Sequence, residues 1–233
     1  MNNYIALIIT FALSLIFLRL MNFIAYRGWI DSRLSRKIIH IGTGPLFVLC
    51  WLMFADTADA RWLAALVPLV ITVQFALVGL GIIKDPAAVQ SMSRTGDPKE
   101  ILRGPLFYGI MFVALTLIYW KDSLIGIPAL MMMCGGDGIA DIVGRKIKSP
   151  RLPWSPEKTL AGFLSVFAGG WLLTILVFAI YVWIGDFSGP ITRFLFPVTV
   201  IALVAALVES LPFKDIDNIT VPLAAVIAGY FLF

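Results

Sequence analysis

Asp137 and Asp141 stand four residues apart behind the Gly135-Gly136 pair, within the run CGGDGIADIVGRKIKSPRLPWSPEKTLAG from Cys134 to Gly162. Positions i and i+4 of a helix share one face, so both carboxylates can reach a single Mg²⁺. Gly135, Gly136 and Gly138 take away side chains that would block a close approach of phosphates. Arg145 extends the face by one more turn, and Lys146, Lys148, Arg151 and Lys158 add the positive charge that a triphosphate requires. Arginine forks onto two oxygens, whereas lysine acts as a compact point charge. The chemistry these residues suit is binding of a metal-bound nucleotide. The cations alone would fit any basic loop at a membrane surface. The acids would not: each costs about 2.5 kcal/mol or more inside an apolar span, so two of them one turn apart mark a site.

The elements that hold this run are set by composition. Of 233 residues, 60% are apolar and 14% charged, and the mean hydropathy is +0.94. No soluble core absorbs that much apolar sequence, so the chain is read as an all-α polytopic integral membrane protein. Apolar stretches of spanning length, or nearly so, run over 4–26, 38–55, 62–83, 105–120, 124–143, 160–184, 194–211 and 219–233, giving about eight transmembrane helices. The first is too long for a cleaved signal peptide and has no small-residue cleavage site after it, so it is expected to be an anchor. With no internal repeat or low-complexity segment, residues 1–233 read as one domain.

Charge placement orients these spans. The loops at 27–37, 84–104, 145–159 and 212–218 hold four, four, five and one Lys or Arg, against only Arg61, Lys121 and Arg193 on the other side. That bias places the four basic loops in the cytoplasm and both termini outside. His40, the stretch from Arg94 to Arg103, the Asp137 and Asp141 pair, Lys158, Glu209 and the turn from Asp215 to Asn218 are then all expected on the cytoplasmic face. A catalyst joining a water-soluble nucleotide to a lipid needs polar groups at the interface and apolar helices below. Trp51, Trp62, Trp120, Trp154 and Trp183 fall near span ends, where interfacial belts are expected.

Several classes drop out. Cys50 and Cys134 sit alone in apolar surroundings without metal-ligand spacing and read as buried small hydrophobes. The net charge of +4 comes mostly from loops that meet anionic headgroups and nucleotide phosphates, so no nucleic acid is invoked. There is no GxxxxGK[ST] loop and no GxGxxG after a strand, so a nucleotide must be held by helix ends and short loops.

Four blocks carry a resemblance. RKIIHIGTGPLF at 36–47, SRTGDPKEILRGPLFYG at 93–109, GGDGIADIVGRK with PEKTLAG at 135–162, and VESLPFKDIDNITVPL at 208–223 together resemble the phytol and farnesol kinase branch of the polyprenol kinase and CTP-transferase superfamily. The GD-x-x-A-x-x-x-GR core is shared with dolichol kinases and phosphatidate cytidylyltransferases. The SR-x-GD block followed by GPL-x-YG points to the phytol and farnesol kinases, with EIL here in place of ELL. The resemblance implies a CTP-dependent kinase of an isoprenoid alcohol, with UTP as a possible donor, a long-chain prenyl alcohol such as phytol, farnesol or geranylgeraniol as acceptor, and a bacterial inner membrane or thylakoid-type membrane around it.

Phosphoryl transfer asks for charge neutralisation, an in-line hydroxyl and exclusion of water. In that frame Asp137 and Asp141 would hold Mg²⁺, Lys158 and Arg145 would neutralise developing charge, and Thr159 would add a hydroxyl to the phosphates or metal. His40, the one histidine, is a candidate phosphate ligand or proton carrier, or else an interfacial hydrogen-bonding group. Glu100 and Arg103 enter on the family block, the first as a catalytic candidate and the second as a nucleotide ligand. Asp217 is a candidate metal ligand and Asn218 a candidate nucleotide contact, with helix capping as the competing explanation for both. Two other functions compete: a cytidylyltransferase making a CDP-lipid, which would need an extra cationic pocket, and a solute transporter. Transport is disfavoured because the polar residues gather at one face without reaching the midplane. Nothing in the sequence sets the oligomeric state.

Overall fold

The computed structural model describes residues 1–212 and 216–233; for residues 32, 137, 138 and 140–146 it describes the backbone alone. The chain divides into two compact units, Met1–Ile118 and Tyr119–Phe233. The first holds α1 (Asn3–Tyr26), α2 (Ser32–Cys50), α3 (Ala60–Gly79), the short α4 (Pro86–Met92) and α5 (Gly104–Ile118). The second holds α6 (Gly126–Lys146), a hairpin of β1 (Arg151–Leu152) and β2 (Ser155–Thr159), α7 (Leu160–Ile184), α8 (Thr192–Glu209) and α9 (Asp217–Leu232). The chain is an all-α polytopic membrane protein. Among the described residues, five helical segments are long and apolar enough to cross a bilayer, and Gly126–Gly136, within α6, and Asp217–Leu232 are shorter apolar stretches of helix.

Each expected span has a long helix, and the differences have local causes. α2 starts at Ser32 because the Asp31 carboxylate accepts the Leu34 N–H at 2.7 Å, a cap that makes helix out of basic sequence expected to be loop. Trp51 is fully buried, against the interfacial position expected for it, whereas Trp62 and Trp183 are exposed. Hydroxyls inside apolar helices return to the carbonyl one turn back: Thr10 to Ala6, Thr72 to Pro68, Thr116 to Phe112 and Thr174 to Gly170. Each closes its own donor without a partner helix. In the first unit α3 and α5 meet where Gly109 lets Thr72 in; a Cβ there would lie 2.2 Å from the Thr72 Oγ1.

The second unit is built around the α6–α7 crossing. A Cβ on Gly135 would fall 2.6 Å from the Gly169 carbonyl oxygen, and one on Gly169 would fall 2.5 Å from that of Gly135. Gly136 sits against Val166, and Gly170 against Met132. Without a hydrophobic effect between helices in lipid, such close backbone approach is what supplies packing energy. Gly135 and Gly136, expected to make room for phosphates, make room for α7.

Candidate active site

Lys158 has a defined place in the second unit. Pro150 accepts the Leu160 N–H at 2.9 Å and Ser149 Oγ accepts the Ala161 N–H at 3.0 Å, so the antiparallel β1–β2 hairpin feeds directly into α7. Thr159 caps that helix, its hydroxyl oxygen accepting the Gly162 N–H at 3.2 Å. The threonine expected to serve phosphates has this capping bond as its local partner. The hairpin is also held from across the unit: Trp154 Nε1 donates to Ser210 Oγ at 2.9 Å. Lys158 Nζ lies 2.6 Å from Glu209 Oε1 and also donates to the Glu209 backbone carbonyl.

The electrostatics of that pair are legible. Glu209 closes α8, where a carboxylate adds to the negative end of the helix dipole; an ammonium on both its carboxylate and its carbonyl offsets that cost. The glutamate side chain is 8% exposed and the lysine 32%. Lys158 is thus a fixed charge with one side still open. On the far side of Glu209, Met132, Met133, Asp217 and Asn218 close around a crevice too tight to admit a water. Asp217 is the first residue of α9, and the position before it, Ile216, makes no side-chain cap. Its Oδ1 accepts the Asn218 N–H at 3.0 Å, one of the amides left open at the start of the helix, which is the kind of contact the capping explanation calls for. Asn218 is buried. Asp137, which follows Met133 by four positions in α6, and Asp141, Gly138, Arg145 and Lys146 have side chains outside the described set.

The family-block residues of the first unit have local partners. The His40 ring packs on Tyr108 with centroids 4.4 Å apart, and Tyr108 OH donates to the His40 carbonyl at 2.7 Å. Glu100 accepts from the Arg94 and Thr95 backbone N–H groups and, at 3.1 Å, from the Thr95 hydroxyl. A carboxylate gripping three donors of its own loop fixes the SRTGD turn. Arg103 ends the 3₁₀ turn Pro98–Leu102 and leads into α5. Glu209 as the partner of Lys158 was not foreseen, although an acid in the last turn of an apolar span signals a nearby cation.

No family model matches the chain, and no solved structure matches it. Among curated proteins, the chain is 42% identical over 209 residues to "Phytol kinase 1, chloroplastic" of Arabidopsis thaliana, covering 89% of this chain and 69% of that one. It is 41% identical over 215 residues to "Farnesol kinase, chloroplastic" of the same plant, covering 90% and 69%. Kinship of that extent means that the chain belongs to the phytol and farnesol kinase family.

Proposed function

We propose that the protein phosphorylates a membrane-embedded isoprenoid alcohol, phytol foremost and farnesol or geranylgeraniol as further acceptors, with CTP as donor and UTP as a substitute. The observation that carries this reading is the identity of about two residues in five to phytol and farnesol kinases over nine-tenths of the chain. The chloroplast relatives favour a thylakoid-type membrane. The alcohol oxygen attacks the γ phosphorus, the bond to the bridging oxygen breaks, and nucleoside diphosphate leaves with release of the hydroxyl proton. Such a transfer rests on positioning and charge.

Lys158 supplies a positive charge held in place by Glu209 before the nucleotide arrives, so little reorganisation is needed in the reaction. Apolar helices keep the prenyl tail and exclude water that would compete with the hydroxyl. Mg²⁺ suits the donors available: Asp217 and Asn218 offer hard oxygens beside one crevice, and Asp137 and Asp141 add two carboxylates four positions apart. Asp137 and Asp141 are the proposed principal ligands, because their four-residue spacing puts both on one face of the helix. When bound, the ion would neutralise the β and γ phosphates.

The test is purified protein with Mg²⁺ and CTP labelled at the γ or the α phosphate, offered phytol, farnesol or phosphatidate. Label from the γ position on the prenyl alcohol is expected. Label from the α position on phosphatidate would replace the kinase with a cytidylyltransferase.

A further inference from the structure

Two polar side chains inside apolar helices of the first unit face one cavity. Arg19 lies about two turns before α1 ends at Tyr26, and Gln74 a little over one turn before α3 ends at Gly79. Polar groups at such depth are costly and mark functional positions. The cavity, of about 600 Å³, is walled by Arg19, Tyr26, Gln74, Ile83, Lys84 and Asp85.

Its charge is defined. Arg19 Nη1 meets Asp85 Oδ2 at 3.1 Å, and Asp85 also accepts the Ala88 N–H at 2.9 Å as the cap of α4. The acid is therefore held at the wall and offsets one of two cations. Lys84 makes no ion pair among the described residues, and the side chains of Tyr26 and Gln74 have no hydrogen-bond partner among them. Arg19 and Lys84 less Asp85 leave a single positive charge. Leu20, Phe23, Ile82 and Ile83, all exposed, give this part of the unit an apolar surface.

We propose that this cavity is a headgroup site for an anionic phosphodiester lipid, with the phosphate between Arg19 and Lys84, headgroup hydroxyls against Tyr26 and Gln74, and acyl chains along Leu20 and Phe23. A phosphodiester carries one negative charge and matches the one positive charge in excess. A zwitterionic headgroup would bring its own cation against Arg19 and Lys84, where the only acid in the wall is already engaged. The cavity shares no residue with those assigned to phosphoryl transfer.

Native mass spectrometry of the full chain in neutral detergent, titrated with phosphatidylglycerol or phosphatidylcholine of identical acyl chains, tests this. Phosphatidylglycerol should bind more tightly than phosphatidylcholine. Lys84→Gln, at an exposed position, should weaken phosphatidylglycerol about fivefold, the effect of one cation near a membrane surface. Asp85→Asn, which keeps a good helix cap, should tighten it by a similar factor. Equal affinity for the two lipids, unchanged binding in both variants, or displacement of the lipid by equimolar inorganic phosphate would each overturn the proposal.

Discussion

Replacing either member of the Lys158–Glu209 pair removes a 2.6 Å contact, but the two losses differ in kind. Lys158→Ala strips the ammonium from a carboxylate that is 8% exposed; that cost is about 3 kcal/mol, the lower end for breaking a buried pair. Glu209→Gln keeps a neutral oxygen for a lysine that is 32% exposed, so water takes up part of the charge and the cost is about 1 kcal/mol. Stability in detergent should therefore fall more for the lysine variant, read as thermal unfolding midpoints. Turnover carries the sharper expectation. If Lys158 faces the transferred phosphate, Lys158→Ala should lower kcat roughly 10²- to 10³-fold, as does loss of one preorganised charge donor. Glu209→Gln should cost about tenfold and raise KM for the nucleotide, since it only loosens the lysine. Because the glutamate acts through the lysine, the double variant should match Lys158→Ala alone. Losses that multiply, or a glutamate variant worse than the lysine one, would refute the reasoning. Full activity in Lys158→Ala would remove the lysine from the chemistry altogether.

Gly135→Ala puts a Cβ 2.6 Å from a backbone oxygen and should cost about 1–3 kcal/mol as overpacking, seen as a lowered unfolding midpoint; at Gly162 the nearest atom is 3.3 Å away, and alanine there should cost less. Asp137→Asn or Asp141→Asn should abolish turnover in protein that still elutes as a single folded species, with partial recovery at raised Mg²⁺ as the mark of a weakened ligand set. In a bacterial host, Lys148→Cys should react with an impermeant thiol reagent only after cells are opened and Ser188→Cys in intact cells, with little background because Cys50 and Cys134 are buried. The Thr57 hydroxyl and then the Asn3 amide hold the Asp59 carboxyl below its ordinary value of 3.8. The stability this lends is present above pH 3.8 and lost as pH falls through the lowered value; Asp59→Asn should flatten that acid limb in unfolding measured against pH.

What the sequence disclosed follows from how far each signal reaches along the chain. Apolar runs are local, so every long helix was legible, and so was the four-residue spacing of Asp137 and Asp141. The start of α2 was missed because the cap at Asp31 precedes a stretch whose arginines and lysine read as loop. The hairpin was not legible: β1 is two residues long, and β2 carries a proline in SPEKT, which gives no alternating pattern. The Lys158–Glu209 pair joins residues 51 apart in sequence, which no spacing rule covers. Gly135 and Gly136 were read for what they could admit from solution, and only their position against Gly169 and Val166 shows that another helix packs there.

That glycine crossing constrains how the chain can change over time. Where backbone touches backbone, neither partner can gain an atom first, and a substitution at Gly135 is not repaired by any substitution at Gly169, because glycine is already the smallest choice. No neutral route of single steps leads away from the pair short of moving a whole helix. Gly135 and Gly169 should drift less than the residues around them, and a search for remote members of this family would do better to anchor on the two glycines and the distance between them than on the basic residues that separate them.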